Sequence, residues 1–140
     1  MLSKPKPTLV AVLGVVLLAA GCSDPTPPPA PTPVVPTITD SFSGTLLVSS
    51  SNVHPFTVHQ VGGVSVTLTS VDPGAAVRIS VGTPSTTTAT CTVINGMTIV
   101  ASPSAQLSGT ATVTGDFCVS VADVGNLVEP VNYTITVLHS

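Results

Sequence analysis

Tryptophan is absent from the 140 residues, and only one tyrosine and three phenylalanines stand in its place. A surface that stacks sugar rings needs exposed aromatic faces. Here Phe42, Phe56, Phe117 and Tyr133 all fall on alternating apolar faces, where a core takes them. Positive charge is almost as scarce. Lys4, Lys6 and Arg78 are the only basic side chains, too few for the clustered phosphate contacts that nucleic acid requires. The same shortage removes attraction to anionic lipid through a basic patch. Long apolar runs are missing beyond the first: after Ala20 nothing approaches the roughly 20 residues of a membrane span. Motifs of site chemistry are missing too. No G-x-S-x-G elbow and no H-E-x-x-H pair occurs, and no cofactor is implied. His54 and His59, five apart on one expected strand, would point to opposite faces and share no metal.

What is present begins with an address. Lys4 and Lys6 precede an apolar stretch from Leu9 to Ala20, and small residues follow it. That order of charge, apolar segment and small residues is the grammar of a secretory signal. It ends at Ala19-Ala20-Gly21-Cys22, which resembles the lipobox of bacterial lipoproteins, with Ala19 where leucine is commonest. The resemblance implies lipid transfer to the Cys22 sulfur and cleavage after Gly21, often with acylation of the new amino terminus. Residues 1–21 are then the signal peptide, and the mature protein is held to a membrane through its lipid anchor. Ser23 stands where an aspartate would signal inner-membrane retention in enterobacteria, so an outer membrane is favoured where the cell has one.

Residues 22–37 carry seven prolines. Proline fixes φ and offers no amide hydrogen, so the tract is expected as an extended polyproline stalk of roughly 40 Å rather than a helix or strand. Beyond it, residues 38–140 provide enough chain for one small core. Their composition is Val and Ala set among Thr and Ser, which is strand composition.

Alternation is plain in this part. Val64, Val66 and Leu68 oppose Ser65, Thr67 and Thr69; Val77 and Ile79 flank Arg78; Phe117, Val119 and Val121 share a face, as do Tyr133, Ile135 and Val137. Turn signals at Gly62-Gly63, Asp72-Pro73-Gly74, Asn95-Gly96, Gly115-Asp116 and Gly125-Asn126 separate the runs. Seven or eight short antiparallel strands, one face polar, are predicted to pack as an all-β sandwich. Phe42-Ser43-Gly44-Thr45-Leu46, Gly63 to Thr69, Gly115 to Val121 and Tyr133 to Val137 together resemble the bacterial pre-peptidase C-terminal domain. That resemblance, over residues 41–138, implies a jelly-roll-like sandwich. Two departures accompany it: no peptidase is attached, and Val53-His54-Pro55 stands where acidic residues are frequent.

Lipidation of Cys22 would leave exactly two thiols in an oxidising compartment, so Cys91 and Cys118 are predicted to pair. The segment Asp123 to Pro130 is the candidate binding loop. Asp123, Asn126 and Glu129 bring oxygen-bearing side chains and Leu127 an apolar one. Calcium takes such oxygens, but Asp and Asn are above all good turn formers, and the turn is the reading preferred, with no metal assigned. The function class expected is a non-catalytic envelope lipoprotein displaying a module for an envelope protein or extracellular polymer, or serving a structural surface role. The alternative is a secreted hydrolase, or its accessory, with a site assembled from scattered residues.

Overall fold

Alternating sequences can bury only one face, and two such sheets solve the problem by turning those faces together. The computed structural model describes residues 25–140, and Cys22 with the whole signal segment lies outside the described residues. Residues 25–37 form neither helix nor strand and are exposed throughout. The strands follow as β1 (Ile38–Leu46), β2 (Ser51–Val58), β3 (Gly62–Asp72), β4 (Val77–Pro84), β5 (Cys91–Ala101), β6 (Gln106–Ala111), β7 (Gly115–Ala122) and β8 (Val131–His139). One sheet has the order β1-β8-β3-β6 and the other β2-β7-β4-β5. All the pairings are antiparallel. Eight strands in this order make a jelly-roll sandwich.

The core is the expected one. Val64, Val66, Leu68, Val77, Ile79, Phe117, Val119, Val121, Tyr133, Ile135 and Val137 are all buried, joined by Leu46, Phe56 and Val58. Each full burial of such a side chain contributes about 1.5–3 kcal/mol, which is why the alternation dominates so weakly charged a chain. Phe42 is only partly buried and packs against the rim of the core.

Two irregularities depart from the simple reading. Asn95-Gly96 is not a turn. It lies inside β5, where the ladder to β4 runs Ser80↔Thr98 and then Gly82↔Val93. Four residues, Ile94 to Met97, therefore stand opposite Val81 alone, and Gly96 takes φ +81° within the excursion. Both halves of the run pair with β4 instead of with each other, so the hairpin closes earlier, where the Ser85 amide donates to the Thr90 carbonyl at 2.9 Å. The second irregularity is a bulge in β3 between Leu68 and Ser70. Thr69 is the extra residue, and beyond it Val71 turns inward while Ser70 and Asp72 face out. A bulge inserts one residue and so reverses the facing of all that follow.

His54 and His59 do not share a strand. β2 ends at Val58, paired with Gly115 of β7, and the amides of His59 and Gln60 donate instead to the Ser140 carbonyl.

Cys91 and Cys118 form the expected disulfide, with Cα atoms 5.9 Å apart. Cys118 alternates with the inward Phe117 and Val119, so the bridge lies on the outer face of its sheet. It joins β5 to β7 across the intervening β4, passing Gly82. A Cβ at Gly82 would run into the Thr92 carbonyl and crowd the Cys91 sulfur, so glycine is required there by space. The closed loop spans 27 residues. Replacing both cysteines by alanine should lower stability by about 3–4 kcal/mol in the chain-entropy account. Urea unfolding of the oxidised wild type against the double variant measures the difference.

Candidate functional site

Each strand connection alternates between the two ends of the sandwich. The loops 47–50, 73–76, 102–105 and 123–130 gather at one end, opposite the end where the chain enters β1. Two of them are tied by one carboxylate. Asp123 Oδ1 accepts the backbone amides of Gly125 at 2.8 Å, Asn126 at 3.2 Å and Leu127 at 3.3 Å. Its Oδ2 accepts the Ser49 amide at 2.8 Å. The Asp123 amide in turn donates to the Ser50 carbonyl at 3.0 Å. Ser49 sits at φ +56° to present its amide, a backbone state that serine rarely adopts. The Ser49 amide, joined by the three of its own loop, holds the Asp123 carboxyl below the usual carboxylate range.

This geometry decides between the two readings of Asp123 and corrects the expectation for Leu127. Both Asp123 oxygens are engaged by amide hydrogens, so the residue is a turn former and not a free calcium ligand. Among the described residues no group of three or more His, Cys, Asp or Glu side chains gathers to hold a metal. Leu127 is 7% exposed and belongs to the core. It folds back under the turn that Asp123 organises, and so offers no contact surface. Asn126 and Glu129 remain exposed.

The outward apolar residues at this end are others. Val128 is 93% exposed, Leu47 55% and Val48 44%. They sit on the two loops that Asp123 joins, so they are held on a rigid mount although solvent surrounds them. Leu47 and Val48 read in the sequence as a continuation of β1, and only the end of that strand at Leu46 turns them outward.

A second cluster closes the seam between β1 and β2. Tyr133, at 2% exposed, is among the largest fully buried side chains. Its hydroxyl accepts from Asn52 Nδ2 at 3.0 Å and meets His54 Nε2 at 2.6 Å. The direction of the His54 bond follows the imidazole tautomer: the phenol donates to an unprotonated Nε2 or accepts from a protonated one. Asn52 also donates to the Thr45 carbonyl at 2.9 Å, and Phe42 stacks on the imidazole with centroids 4.9 Å apart. Burial lowers the His54 pKa and raises that of Tyr133, so both are held neutral. Near the other end of the same seam His139 is buried, with Nε2 at 2.9 Å from Asp40 Oδ2. Neither histidine presents a ring nitrogen to a serine hydroxyl. His54 joins the two sheets through Tyr133, whereas the His139–Asp40 pair links β8 to β1 within one sheet, with the His139 ring packed on Phe56 of the other.

A groove of about 540 Å³ runs along β2 against the segment leading into β5, between Val53 and Pro55 on one side and Ser85, Ala89 and Thr90 on the other. The disulfide fixes the second wall. Ser85 Oγ accepts the amides of Thr87 and Thr88, at 3.4 and 3.3 Å, and the Thr88 hydroxyl at 3.0 Å, so the groove's hydroxyls are largely turned to one another.

No family model matches the sequence, and no curated protein matches it. Among solved structures the chain is similar to the Aeromonas hydrophila protein PliG, described as a periplasmic lysozyme inhibitor of g-type lysozyme. The TM-score is 0.50 at 12% identity, over 71% of this chain and 83% of that one. The likeness is one of fold. It agrees with the two four-stranded sheets and assigns no residue a role.

The Asp123 tie is testable through its charge. A carboxyl held below its ordinary pKa in the fold stabilises above the ordinary range, and the contribution is lost as pH falls through the folded value. Asp123→Ala should therefore lower stability at neutral pH and speed amide exchange at Ser49 and Gly125. The difference from wild type should shrink steadily on acidification. Urea unfolding across an acid-to-neutral series, with hydrogen exchange read at those amides, checks both.

Proposed function

We propose that the protein is a non-catalytic lipoprotein of the cell envelope whose sandwich binds a protein partner through the tied loops 47–50 and 123–130. The observation that carries this reading is the set of outward Leu47, Val48 and Val128 on loops that Asp123 holds rigid. Exposed apolar residues on pre-organised loops lose little freedom on binding, which is where recognition gains affinity. A fold shared with a protein described as an inhibitor of g-type lysozyme supports protein recognition. It also supplies a defined first probe. The signal grammar and Ala19-Ala20-Gly21-Cys22 support the anchor, and the proline tract supports the spacer.

Two experiments test the parts separately. Cys22→Ala should move the protein out of the detergent phase and leave uncleaved precursor. A mature amino terminus at any other residue, without acyl mass, would end the lipoprotein reading. For the loops, Val128→Lys should leave thermal stability unchanged while abolishing capture of g-type lysozyme, or of an envelope partner recovered from extracts. Leu127→Lys should instead cost about 3 kcal/mol or more, because it places a charge in the core. Capture that survives Val128→Lys and charge reversal at Glu129 would remove these loops as the binding surface.

A further inference from the structure

The outer faces of the two sheets differ. That of β2-β7-β4-β5 is mixed, crossed by the disulfide and carrying Arg78. That of β1-β8-β3-β6 is built mostly from serine and threonine, and no lysine or arginine stands on any of its strands. Two rungs of its ladder align across three strands. Ser43 of β1 lies opposite Thr134 of β8, which lies opposite Ser70 of β3; Thr45 lies opposite Asn132, which lies opposite Asp72. These six side chains line a cleft of about 400 Å³.

The third column of this cleft exists because of the β3 bulge. By the alternation of Val64, Val66 and Leu68, Ser70 and Asp72 would face the core. The extra Thr69 reverses them, buries Val71 in their place and sets their polar groups beside Thr134 and Asn132. A solvated sheet face needs no such device, since plain alternation already exposes hydroxyls. Bulges that re-aim side chains are enriched beside functional sites, as they are at sheet edges, and β3 is not an edge strand. On the first two columns the hydroxyl of Ser43 pairs with that of Thr134 at 3.0 Å, and Thr45 donates to Asn132 Oδ1 at 2.8 Å. The Asp72 carboxylate takes part in neither pair and faces the opening.

We propose that this cleft binds a neutral saccharide. Four hydroxyls that can donate or accept, one amide and one carboxylate match a ligand whose own groups are hydroxyls. A carboxylate accepts from such hydroxyls in the stronger, charge-assisted manner. The lack of any lysine, arginine or histidine lining the cleft excludes an anionic polymer, whose charge would meet only Asp72. The ring of Tyr133 lies beneath the floor and is buried, so no stacking platform takes part. Recognition rests on hydrogen bonds alone and is weak for each sugar unit, which suits a repeating chain held at many points. The cleft is distinct from the outward apolar residues of the loop end, and its occupancy does not depend on a protein partner.

The test uses the full-length protein in detergent, titrated with cellohexaose, maltohexaose and chitohexaose up to about 10 mM, where weak association is still read. At least one should bind, with amide shifts confined to residues 43–45, 70–72 and 132–134, while polygalacturonate does not. Asp72→Ala and Asn132→Ala should each lower the affinity about tenfold, the loss expected for a hydrogen bond to a buried or charged partner, with the melting temperature unchanged. Should either variant fail to fold, Ser70→Arg fills the cleft from an exposed position and must give the same loss. Absence of binding by all three hexasaccharides, tighter binding of polygalacturonate, or binding that survives these substitutions overturns the proposal. Val128→Lys leaves the saccharide titration unchanged, so the loop reading and the cleft reading fail independently.

Discussion

A strand cannot bury one residue without exposing the next, and in a chain with so few charges this alternation alone separates inside from outside. Valine, isoleucine and leucine fill the inward places of both sheets, and serine and threonine take most of the outward places of β1, β3 and β8. No rim of lysine and glutamate reinforces the division. A single uncorrected slip would put hydroxyls in the core and methyl groups in water along a whole strand. The two bulges are the places where the chain changes register, and each is absorbed by a residue that tolerates it. Gly96 has no Cβ at its positive φ. Thr69 remains exposed, where its hydroxyl is solvated.

Polar groups that do enter the interior are consequently few and completely paired. Among the described residues no buried side-chain nitrogen or oxygen lacks a hydrogen-bond partner. Tyr133 shows how this is met. Its ring fills the space that Gly44 leaves bare, for a Cβ at Gly44 would press on the phenol oxygen, and its hydroxyl meets Asn52 and His54. An unpaired buried hydroxyl would cost about 1–3 kcal/mol. Three of the carboxylates have a local task of the same kind. Asp123 ties two loops, Asp40 faces His139, and Asp116 accepts the Thr57 hydroxyl at 2.8 Å. Asp72, aimed by the bulge into an open cleft, has no such task within the fold.

The sandwich was legible because alternation is a local property: the strands around Val66, Ile79, Val119 and Ile135 could be read one residue at a time. The disulfide was legible for another reason, since two thiols allow one pairing. The bulges were not. Asn95-Gly96 has the composition of a hairpin turn, and only the competition between β4 and its own two flanks decides that the ladder continues past it. Nothing in Thr69 distinguishes it from Thr67, so the outward turn of Ser70 and Asp72 had no signal. The loop between β7 and β8 was half readable. Its Asp, Gly and Asn announce a turn, but which of Leu127 and Val128 goes inward follows from the amides that Asp123 collects, one of them from Ser49, 74 positions away. The likeness to the pre-peptidase C-terminal domain rests on degenerate strand motifs that match no family model, and what those motifs encode is the alternation itself.

The connectivity constrains what such a sandwich can present when held by its amino-terminal side. The proline tract leads into β1 at Ile38, and the nine residues of that strand run to Leu46, a length of about 30 Å at 3.4 Å per residue. The loops 47–50 and 123–130 begin where β1 ends. They therefore stand a full strand length from the residue where the chain enters the sandwich. The rung of Thr45, Asn132 and Asp72 lies near that same far end, on the flank instead of the tip. A tethered domain whose contact groups clustered around Ile38 would have them shielded by its own linker. Here the sheet that begins at the proline tract carries both candidate surfaces away from it, because an antiparallel jelly roll places alternate connections at opposite ends.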